Sequence, residues 1–266
     1  MRWAGALLVA GAAFALSAQA TAQIAARQSP PPEGVPPGQS AGWTKGRYAA
    51  LDALPDWGGV WFLVRGSGGR SAPVDNRPKL KGDYLKRYEA WRAEVRANDG
   101  VVKTETSSCA PPGVPYLMQI NQYPYEFLFT PGRVTINAEA WGQSRTIWTD
   151  GRPHEGDPDP SYAGNSVGRW DGDTLVVETI GVKDTLTLMP GMYHSPRLKV
   201  TERIHLSPDD PNVLLDEMTW EDPEALAEPY ETVVAYRRDR EGSLIEFVCY
   251  ENERNSVDAE GNVRPF

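Results

Sequence analysis

Short segments in which apolar and polar residues alternate fill the second half of the chain and predict β-strands. In RVTINAEAW at 133–141, every second residue from Val134 is apolar and the residues between are polar. Further segments of this kind follow in the order SRTIWTDG, GRW, DTLVVETIGV, KVTERIHL, LLDEMTW, ETVVAYRRD and SLIEFVCYE. The Asp-Gly pair at 171–172 and the Glu-Gly pair at 241–242 indicate hairpins. Successive hairpins predict an all-β fold, an antiparallel up-and-down β-barrel whose closure leaves no strand edge exposed.

One stretch ahead of these strands has helical periodicity instead. Within 82–99, aromatic and apolar residues at i, i+4, i+7 and i+11 form one stripe: Tyr84, Tyr88, Trp91 and Val95. Asp83 is placed to cap the start, and Asn-Asp-Gly at 98–100 supplies a stop. The pattern predicts one α-helix over about 83–98, on the N-terminal side of the barrel strands.

The first 42 residues carry no strand pattern. Residues 1–22 combine Arg2, an apolar run and small residues at 18, 20 and 22, as a secretory signal peptide does. Residues 23–42 are rich in Pro without apolar periodicity, which predicts a disordered tether, and 43–266 form a single barrel domain. Because the apolar run is shorter than the ~20 residues that cross a bilayer, we expect a secreted or periplasmic protein without membrane insertion.

Charge and cysteine content narrow the range of partners. The chain has 266 residues, with 27 Lys and Arg against 36 Asp and Glu and a formal charge of −9. An acidic protein lacks the basic surface that nucleic acids and anionic membranes attract, which excludes nucleic-acid binding and peripheral membrane roles. Cys109 and Cys249 are the two cysteines of a chain that carries an export signal, so we expect a disulfide between them. The oligomeric state stays open.

A resemblance to known proteins rests on seven blocks in a fixed order: CAPPGVP, PYEFLFTPGRV, RTIWTDGRPH, NSVGRWDGDTLVVETIG, HSPRLKVTERI, LLDEMTWEDP and EFVCYEN. In these blocks, from about Trp57 to Asn255, the chain resembles a large family of exported bacterial hypothetical proteins. The resemblance implies a lipocalin-like barrel and an exported location, and it implies little agreed chemistry. Asn165 stands where that family has His in a GHSVGRW block, so no role of that His carries over to this chain.

A carboxylate on an apolar strand face is the clearest chemical signal. In KVTERIHL, alternation places Glu202 on the same side as Val200 and Ile204. Burial of a carboxylate is costly unless the group is paired or has a raised pKa, and either condition serves acid/base chemistry. The structural alternative is a buried ion pair with an inward arginine, Arg145 or Arg169.

Two histidines in loops extend the candidate catalytic set. His194 lies in a loop bounded by Gly and Pro just before the strand of Glu202, and His154 lies in TDGRPHEGDPDP at 149–160. An imidazole titrates near neutrality and therefore suits proton transfer. We predict that His154 and His194 transfer protons and that Glu202 orients one of them or raises its pKa. A simple structural role of either histidine is the alternative.

Charged residues around His154 supply the rest of the predicted chemistry. Arg145 or Arg152, with Asp150 between them in the sequence, would stabilise a developing oxyanion or phenolate. The loop also carries carboxylates that suit a metal ion, but it lacks a second His at a ligand spacing. We therefore predict no metal, and the loop is either a functional loop or a structural turn.

Aromatic residues on the strands are candidates for substrate binding. Trp148, Trp170 and Trp220 would form walls for a flat apolar or phenolic ligand, with Tyr125 and Asn165 beside them. Core packing explains the three tryptophans equally well.

These signals favour an exported, cofactor-independent enzyme. It would cleave a small aromatic or phenolic compound, such as a lignin-derived aryl ether, by hydrolysis or elimination with general acid/base catalysis. The sequence lacks the Gly-rich phosphate loop of nucleotide enzymes. One alternative is a ligand-binding barrel without turnover. The other is a polysaccharide-active hydrolase or lyase, for which Glu217 and Asp222 offer a second carboxylate.

Overall fold

The computed structural model of the chain describes residues 51–69, 73, 76–100, 109–154, 156–249, 256–257 and 263–264. All of them belong to one unit, which runs from Thr44 to Phe266. The predicted signal peptide at 1–22 and the predicted tether at 23–42 lie outside the described residues.

In the described part of the chain, nine strands close into a β-barrel. Their bounds are β1 Val60–Leu63, β2 Tyr125–Thr130, β3 Arg133–Ala138, β4 Gln143–Trp148, β5 Asn165–Asp171, β6 Thr174–Ile180, β9 Lys199–Leu206, β10 Val213–Glu221 and β11 Tyr230–Asp239. Two short hairpins pair outside it, β7 Thr187–Met189 with β8 Met192–Tyr193 and β12 Ser256–Val257 with β13 Val263–Arg264. Around the barrel the order is β1-β11-β10-β9-β6-β5-β4-β3-β2, which confirms the predicted mostly-β barrel.

The alternation read from the sequence sets which residues face the barrel interior. β9 spans the predicted residues, and its buried positions include Val200, Glu202 and Ile204. The hairpin predicted at 171–172 joins β5 to β6, and Asp171 pairs with Thr174 across the turn. Because successive side chains of a strand point to opposite faces, Glu202 lies in the middle of the inner face of β9, between Val200 and Ile204.

One pair of strands departs from the predicted meander. β4 and β5 run parallel, with Ile147 opposite Ser166, whereas the other neighbours in the barrel are antiparallel. A hairpin cannot join parallel strands, so the Pro- and Gly-rich connection at 149–164 returns along the barrel before β5 begins. The predicted up-and-down order does not hold at this pair.

The last strand predicted from the sequence, SLIEFVCYE, is not a barrel strand over its described residues 243–249. The two edges that could accept it, β1 and β11, already pair with each other. The segment instead contacts the barrel from outside. The backbone N–H of Ile245 donates to Glu139 Oε2 at 2.9 Å, and the ring of Phe247 packs edge-on against Tyr123.

The predicted helix is present as α1, Gly82–Ala97, and it lies on the outside of the barrel. Its stripe of Tyr84, Tyr88, Trp91 and Val95 is half-buried, and no residue of the helix is fully buried. The stop is confirmed, because the N–H of Gly100 donates to the carbonyl of Val95. Asp83 is not the cap; it lies in the first turn and pairs with Lys86. No helix within the described residues is long and apolar enough to span a membrane.

Side chains from outside the strands fill both ends of the barrel. Where β2 begins, a 3₁₀ helix, Tyr116–Gln119, buries three of its four residues. Where β2 ends, Trp57 packs edge-on against Phe129 and Trp170 at ring distances of 5.3 and 5.4 Å. Aromatic rings and the 3₁₀ helix thus cover the openings that a strand barrel would otherwise leave.

The predicted disulfide is present between Cys109 and Cys249. It joins positions 140 residues apart and ties the segment before the 3₁₀ helix to the end of the segment 243–249. Disulfides persist in oxidising compartments outside the cytoplasm, which agrees with the expected export.

Candidate functional site

Five polar side chains meet inside the barrel, and we call them the interior cluster: Arg145, Ser166, Thr179, Glu202 and Asp216. Each occupies an inward position on a different strand, from β4, β5, β6, β9 and β10 in turn. None of the five is more than 1% exposed. The cluster exists because five neighbouring strands each place one polar residue on an otherwise apolar inner face.

A buried ion pair between Arg145 and Glu202 is the centre of the interior cluster. Arg145 Nη1 donates to Glu202 Oε1 at 2.8 Å and Nη2 donates to Oε2, so the pair is bidentate. Arg145 Nε donates to Ser166 Oγ at 3.2 Å, and Nη2 also donates to Thr179 Oγ1 at 2.8 Å. Although burial opposes it, Glu202 raises the pKa of Arg145 above its usual value. All three guanidinium nitrogens therefore have partners within the protein.

Two roles for Glu202 follow from the sequence, an acid/base group or a buried ion pair with an arginine, and the structure shows the ion pair. Of the two arginines proposed as its partner, Arg145 lies inside the barrel and Arg169 is exposed on the outer face of β5. Such a pair is costly to desolvate, and it persists only with good geometry and further hydrogen bonds. Ser166 and Thr179 supply those bonds and contact each other at 2.8 Å.

Asp216 is the exception in the interior cluster, because no N–H or hydroxyl donor of the described residues reaches its oxygens and its hydrogen-bond partner is another carboxyl group, that of Glu202. It is fully buried and lies diagonally across from Glu202, since Met218 is directly opposite Glu202 and Asp216 is directly opposite Ile204. Burial raises the pKa of Asp216 well above its usual value; the negative charge of Glu202 and the hydrogen bond to it add to this shift, and Arg145 opposes it. Asp216 is therefore a carboxyl group that favours the protonated form.

The sequence carries a signal for Asp216 that the predicted site does not include. In LLDEMTW, alternation places Asp216 on the same face as Leu214 and Met218, which is the pattern that marks Glu202. The candidate carboxylates in this block were instead Glu217, which points outward on β10, and Asp222, which follows the strand.

Two buried tyrosines connect the interior to the 3₁₀ helix. The hydroxyl of Tyr236 donates to the carbonyl of Met118 at 2.5 Å, and that of Tyr125 donates to Leu117 O at 2.6 Å. Their rings lie 5.4 Å apart. Burial raises the pKa of Tyr236 well above its usual value, and the neighbouring Asp216 adds to the shift. Tyr125, predicted to contact substrate, thus holds the segment that covers one barrel end.

His154 lies on the outer face of the barrel. Its Nδ1 is 2.8 Å from Asn165 Oδ1, and its Nε2 is 3.3 Å from Glu178 Oε1. Asn165 and Glu178 point outward from β5 and β6, on the opposite side of the sheet from Ser166 and Thr179. Among the described residues there is no group of three or more His, Cys, Asp or Glu side chains arranged to hold a metal ion.

His194 is buried beside a carboxylate but not beside Glu202. Its Nδ1 is 2.8 Å from the carbonyl of Ser195, and burial lowers its pKa although hydrogen bonds to the backbone of Ser195 and Lys183 oppose this. The backbone N–H and hydroxyl of Ser195 both donate to Asp222 at 2.7 Å. Although burial opposes it, these bonds hold the pKa of Asp222 below its usual value. The Ser195 hydroxyl bonds to the carboxylate rather than to the imidazole, so the arrangement is that of a structural turn.

The described contacts of His154, His194 and Glu202 have no residue in common. The structure instead joins His154 with Asn165 outside the barrel and Arg145 with Glu202 inside it. The predicted convergence of both histidines on Glu202 is not seen among these contacts.

Arg152, Asp150 and Trp148 form a separate stack on the outer surface. Arg152 Nη2 donates to Asp150 Oδ2 at 2.6 Å, and the guanidinium lies 3.8 Å from the centre of the Trp148 ring. Arg152 and Asp150 are 46% and 36% exposed, so this pair lies apart from the fully buried interior cluster.

The other predicted aromatic walls take part in packing. Trp170 belongs to the aromatic group that covers one barrel end, and Trp220 is fully buried with its ring 4.8 Å from Tyr230. These contacts are those expected of core aromatic residues.

A groove of about 510 Å³ lies on the outer face of β9, β10 and β11. Residues of these strands and of the segment before α1 line it: Gly68, Asn76, Thr201, Arg203, Glu217, Met218, Thr219, Glu231, Thr232 and Val233. None of these lining residues is aromatic, and Glu217, the carboxylate offered for the polysaccharide alternative, is the one candidate residue among them.

No protein-family model matches the chain, and no curated protein matches it. Two crystal structures of variants of the fluorescent protein UnaG are similar to it at a TM-score of 0.30. The first is 14% identical over 69% of this chain and 96% of that chain, and the second is 12% identical over 68% and 95%. A TM-score of 0.30 is too low to support a conclusion about fold or function.

Proposed function

We propose that the chain is an exported β-barrel protein that binds a small, partly apolar molecule inside the barrel, with Asp216 as the polar contact. The fully buried carboxyl of Asp216 carries this proposal, because no N–H or hydroxyl donor of the described residues reaches its oxygens. Its hydrogen bond to the Glu202 carboxyl leaves acceptor positions of Asp216 unused, and buried acceptors are almost always hydrogen-bonded. A ligand that donates to Asp216 would fill those positions.

The surroundings of Asp216 suit a partly apolar ligand. Val234 and Met218 are buried next to it, and Leu214 and Tyr236 continue the same inner surface. Small-molecule sites are usually apolar cavities with a few polar groups that fix orientation. Asp216 would be such a polar group, because its neighbours Val234, Met218 and Leu214 are apolar.

Two observations support an exported location. The disulfide between Cys109 and Cys249 suits an oxidising compartment, and the sequence of residues 1–22 has the features of a signal peptide. We also propose that the chain belongs to the exported bacterial family that its seven sequence blocks resemble.

Thermal unfolding in the presence of small aryl compounds tests the binding proposal. The chain from residue 23 onward is screened with aryl amines, phenols, acids, alcohols and ethers, because a ligand of the folded state raises the unfolding temperature. We expect at least one class to stabilise the protein and to lose this effect in Asp216→Leu. The matched control is Glu217→Gln, on the next residue of β10 but on the opposite face, and it should respond as the wild type does. If no compound stabilises the protein, or if the effect survives in Asp216→Leu, the proposal is wrong.

Cofactor-independent cleavage of an aryl ether or ester is a second candidate function. It is favoured by two neighbouring carboxyl groups in unlike surroundings, since Glu202 is paired with Arg145 while the pKa of Asp216 is raised. Protonated Asp216 would donate its proton to the leaving oxygen. Water would add its hydroxyl to the cleaved carbon, and its remaining proton would return to Asp216.

Mass spectrometry of lignin-type dimers and aryl esters incubated with the protein tests this second candidate. We expect two products whose masses sum to substrate plus water, and Asp216→Asn should abolish turnover while binding of the same substrate changes by less than threefold. Binding without products would leave a binding protein as the function. The polysaccharide alternative has less support, because the outer groove lacks the aromatic rings on which sugars stack.

A further inference from the structure

We infer that Asp216 and Glu202 hold one proton between them in the closed barrel, and that loss of this proton loosens the pairing of β9 with β10. The two carboxyl groups form a pH-sensitive lock inside the barrel. The lock goes beyond the proposed binding function, because it needs no ligand.

The strand register brings the two carboxyl groups together on the inner face of β9 and β10. Met218 is directly opposite Glu202, and Asp216 lies two residues from Met218 on the same face. Diagonal neighbours of this kind have Cβ atoms within about 7–8 Å of each other, a distance that two carboxyl side chains can close. Both residues are fully buried, and their carboxyl groups are hydrogen-bonded to each other.

A hydrogen bond between two carboxyl groups needs a proton, because two carboxylates offer only acceptors. Glu202 is the ionised partner, since its two oxygens accept from Nη1 and Nη2 of Arg145. No N–H or hydroxyl donor of the described residues reaches the oxygens of Asp216, so its charged form would lack such a donor. The proton therefore lies on Asp216, whose hydroxyl donates to Glu202.

Charge balance inside the barrel supports the same assignment. With a proton on Asp216, the charges of Arg145 and Glu202 cancel. Without the proton the three groups sum to −1, and two carboxylates repel each other across β9 and β10. The charged and titratable groups that act on Asp216 are Arg145 on β4, Glu202 on β9, Glu217 on β10 and Tyr236 on β11. Arg145 is the one cation of these four.

The shared proton matters most for β10. The other described side-chain hydrogen bonds within the interior cluster join β4, β5, β6 and β9. Among the described contacts, the bond between Asp216 and Glu202 is the one that extends the cluster to β10. Loss of the proton removes this bond and puts repulsion between two neighbouring strands in its place.

Opening of β9 from β10 is linked to pH with a defined sign. Burial raises the pKa of Asp216 in the closed barrel, whereas an exposed aspartate has a pKa of about 3.9. Opening therefore releases the proton of Asp216. The equilibrium constant for opening rises by up to about tenfold per pH unit between the two pKa values, and it levels off above the higher one.

Infrared spectroscopy of the chain from residue 23 onward, without added ligand, tests the shared proton. At about pH 6, where exposed carboxyl groups are ionised, we expect the carbonyl band of a protonated carboxylic acid in the wild type. The band should be absent in Asp216→Asn and should disappear from the wild type as the pH rises. Glu217→Gln, on the opposite face of β10, is the matched control and should keep the band.

Hydrogen exchange measured by mass spectrometry over the same pH series tests the loosening. Protection factors of β9 and β10, corrected for intrinsic exchange, should fall by up to about tenfold per pH unit and level off where the infrared band disappears. Protection of β2 and β3, across the barrel, should change less. Asp216→Asn should remove the pH dependence, because its amide donates to Glu202 as the protonated carboxyl does and does not ionise.

Three results would overturn the inference: no carboxylic-acid band in the wild type at about pH 6, a band that persists in Asp216→Asn, or protection of β9 and β10 that does not change with pH. Equal pH dependence in the wild type and Asp216→Asn would also overturn it. The pH series on the wild type does not depend on how a variant folds. Thermal unfolding with small aryl compounds is a separate measurement, so this inference and the proposed function can each fail alone.

Discussion

At the scale of single residues, three ionisable side chains are fully buried inside the barrel: Arg145, Glu202 and Asp216. Alternation alone places Glu202 and Asp216 on apolar faces, so the sequence carries the signal for both. The sequence also narrows the partner of Glu202 to two arginines. That the partner is Arg145 depends on the strand order around the barrel. The alternation of apolar and polar residues predicts the face of a side chain but not the order of the strands.

The ion pair between Arg145 and Glu202 should behave as a unit. We expect Arg145→Met and Glu202→Leu each to lower the free energy of unfolding by about 3–5 kcal/mol, because each leaves one buried charge without its partner. The double variant should cost less than either single variant. Urea unfolding of all four forms measures the coupling, and Arg169→Met, on an exposed site of β5, is the control. Costs that simply add would show that the two residues do not form the pair described.

Stability should depend on pH through Asp216. Because burial raises the pKa of Asp216 in the folded state, its contribution is fully present below the ordinary value near 3.9 and is lost as pH rises through the folded value. The free energy of unfolding of the wild type should therefore fall relative to that of Asp216→Asn as pH rises from about 4. Urea unfolding at a series of pH values measures this difference. Parallel pH curves for the two proteins would contradict a buried, protonated Asp216, and Glu217→Gln should show no such divergence.

At the scale of elements, strands and the helix follow closely from local pattern. β9 and α1 lie within a residue of their predicted bounds, because their hydrophobic periods and turn signals are unambiguous. The parallel pair of β4 and β5 and the loss of a strand at 243–249 depend on long-range pairing. His154 lies in the 149–164 connection and contacts Asn165 and Glu178 on the outer face of the barrel. The local sequence pattern therefore could not predict that His154 and Glu202 are apart.

The 3₁₀ helix Tyr116–Gln119 should depend on the tyrosine hydroxyls beneath it. Tyr236→Phe removes the donor to the buried carbonyl of Met118 and should lower the free energy of unfolding by about 1–2 kcal/mol in urea. Tyr88→Phe on α1 is the control, because the described contacts of Tyr88 are made by its ring. An equal, small effect of both substitutions would show that the hydroxyl of Tyr236 does not hold the helix.

At the scale of the whole molecule, a barrel closed by strand pairing is tied to the segments around it by one covalent link. The disulfide joins Cys109 and Cys249 across 140 residues of sequence and so restricts most of the unfolded chain. The sequence predicts this link from export and cysteine count. Membership of the exported family that the sequence blocks resemble stays a prediction.

Removal of the disulfide should destabilise the barrel. We expect the double variant Cys109→Ala with Cys249→Ala to lose about 2–5 kcal/mol of unfolding free energy, because the unfolded chain gains conformational freedom. Urea unfolding of the wild type with and without reductant is the internal control, and the reduced form should match the double variant. Unchanged stability in both would show that the link does not constrain the unfolded state.

Methyl NMR tests binding inside the barrel most directly. Met218 lies on the inner face of β10, directly opposite Glu202 and two residues from Asp216, whereas Met189 and Met192 lie in the β7–β8 hairpin. In the chain from residue 23 onward, labelled with ¹³C-methyl methionine, the aryl compound that most raises the unfolding temperature should shift the Met218 signal in a saturable way and leave those of Met189 and Met192 unchanged. The signal is assigned with Met218→Leu, and Asp216→Leu should abolish the shift. A Met218 signal that does not move at a saturating concentration of that compound would contradict an interior ligand site.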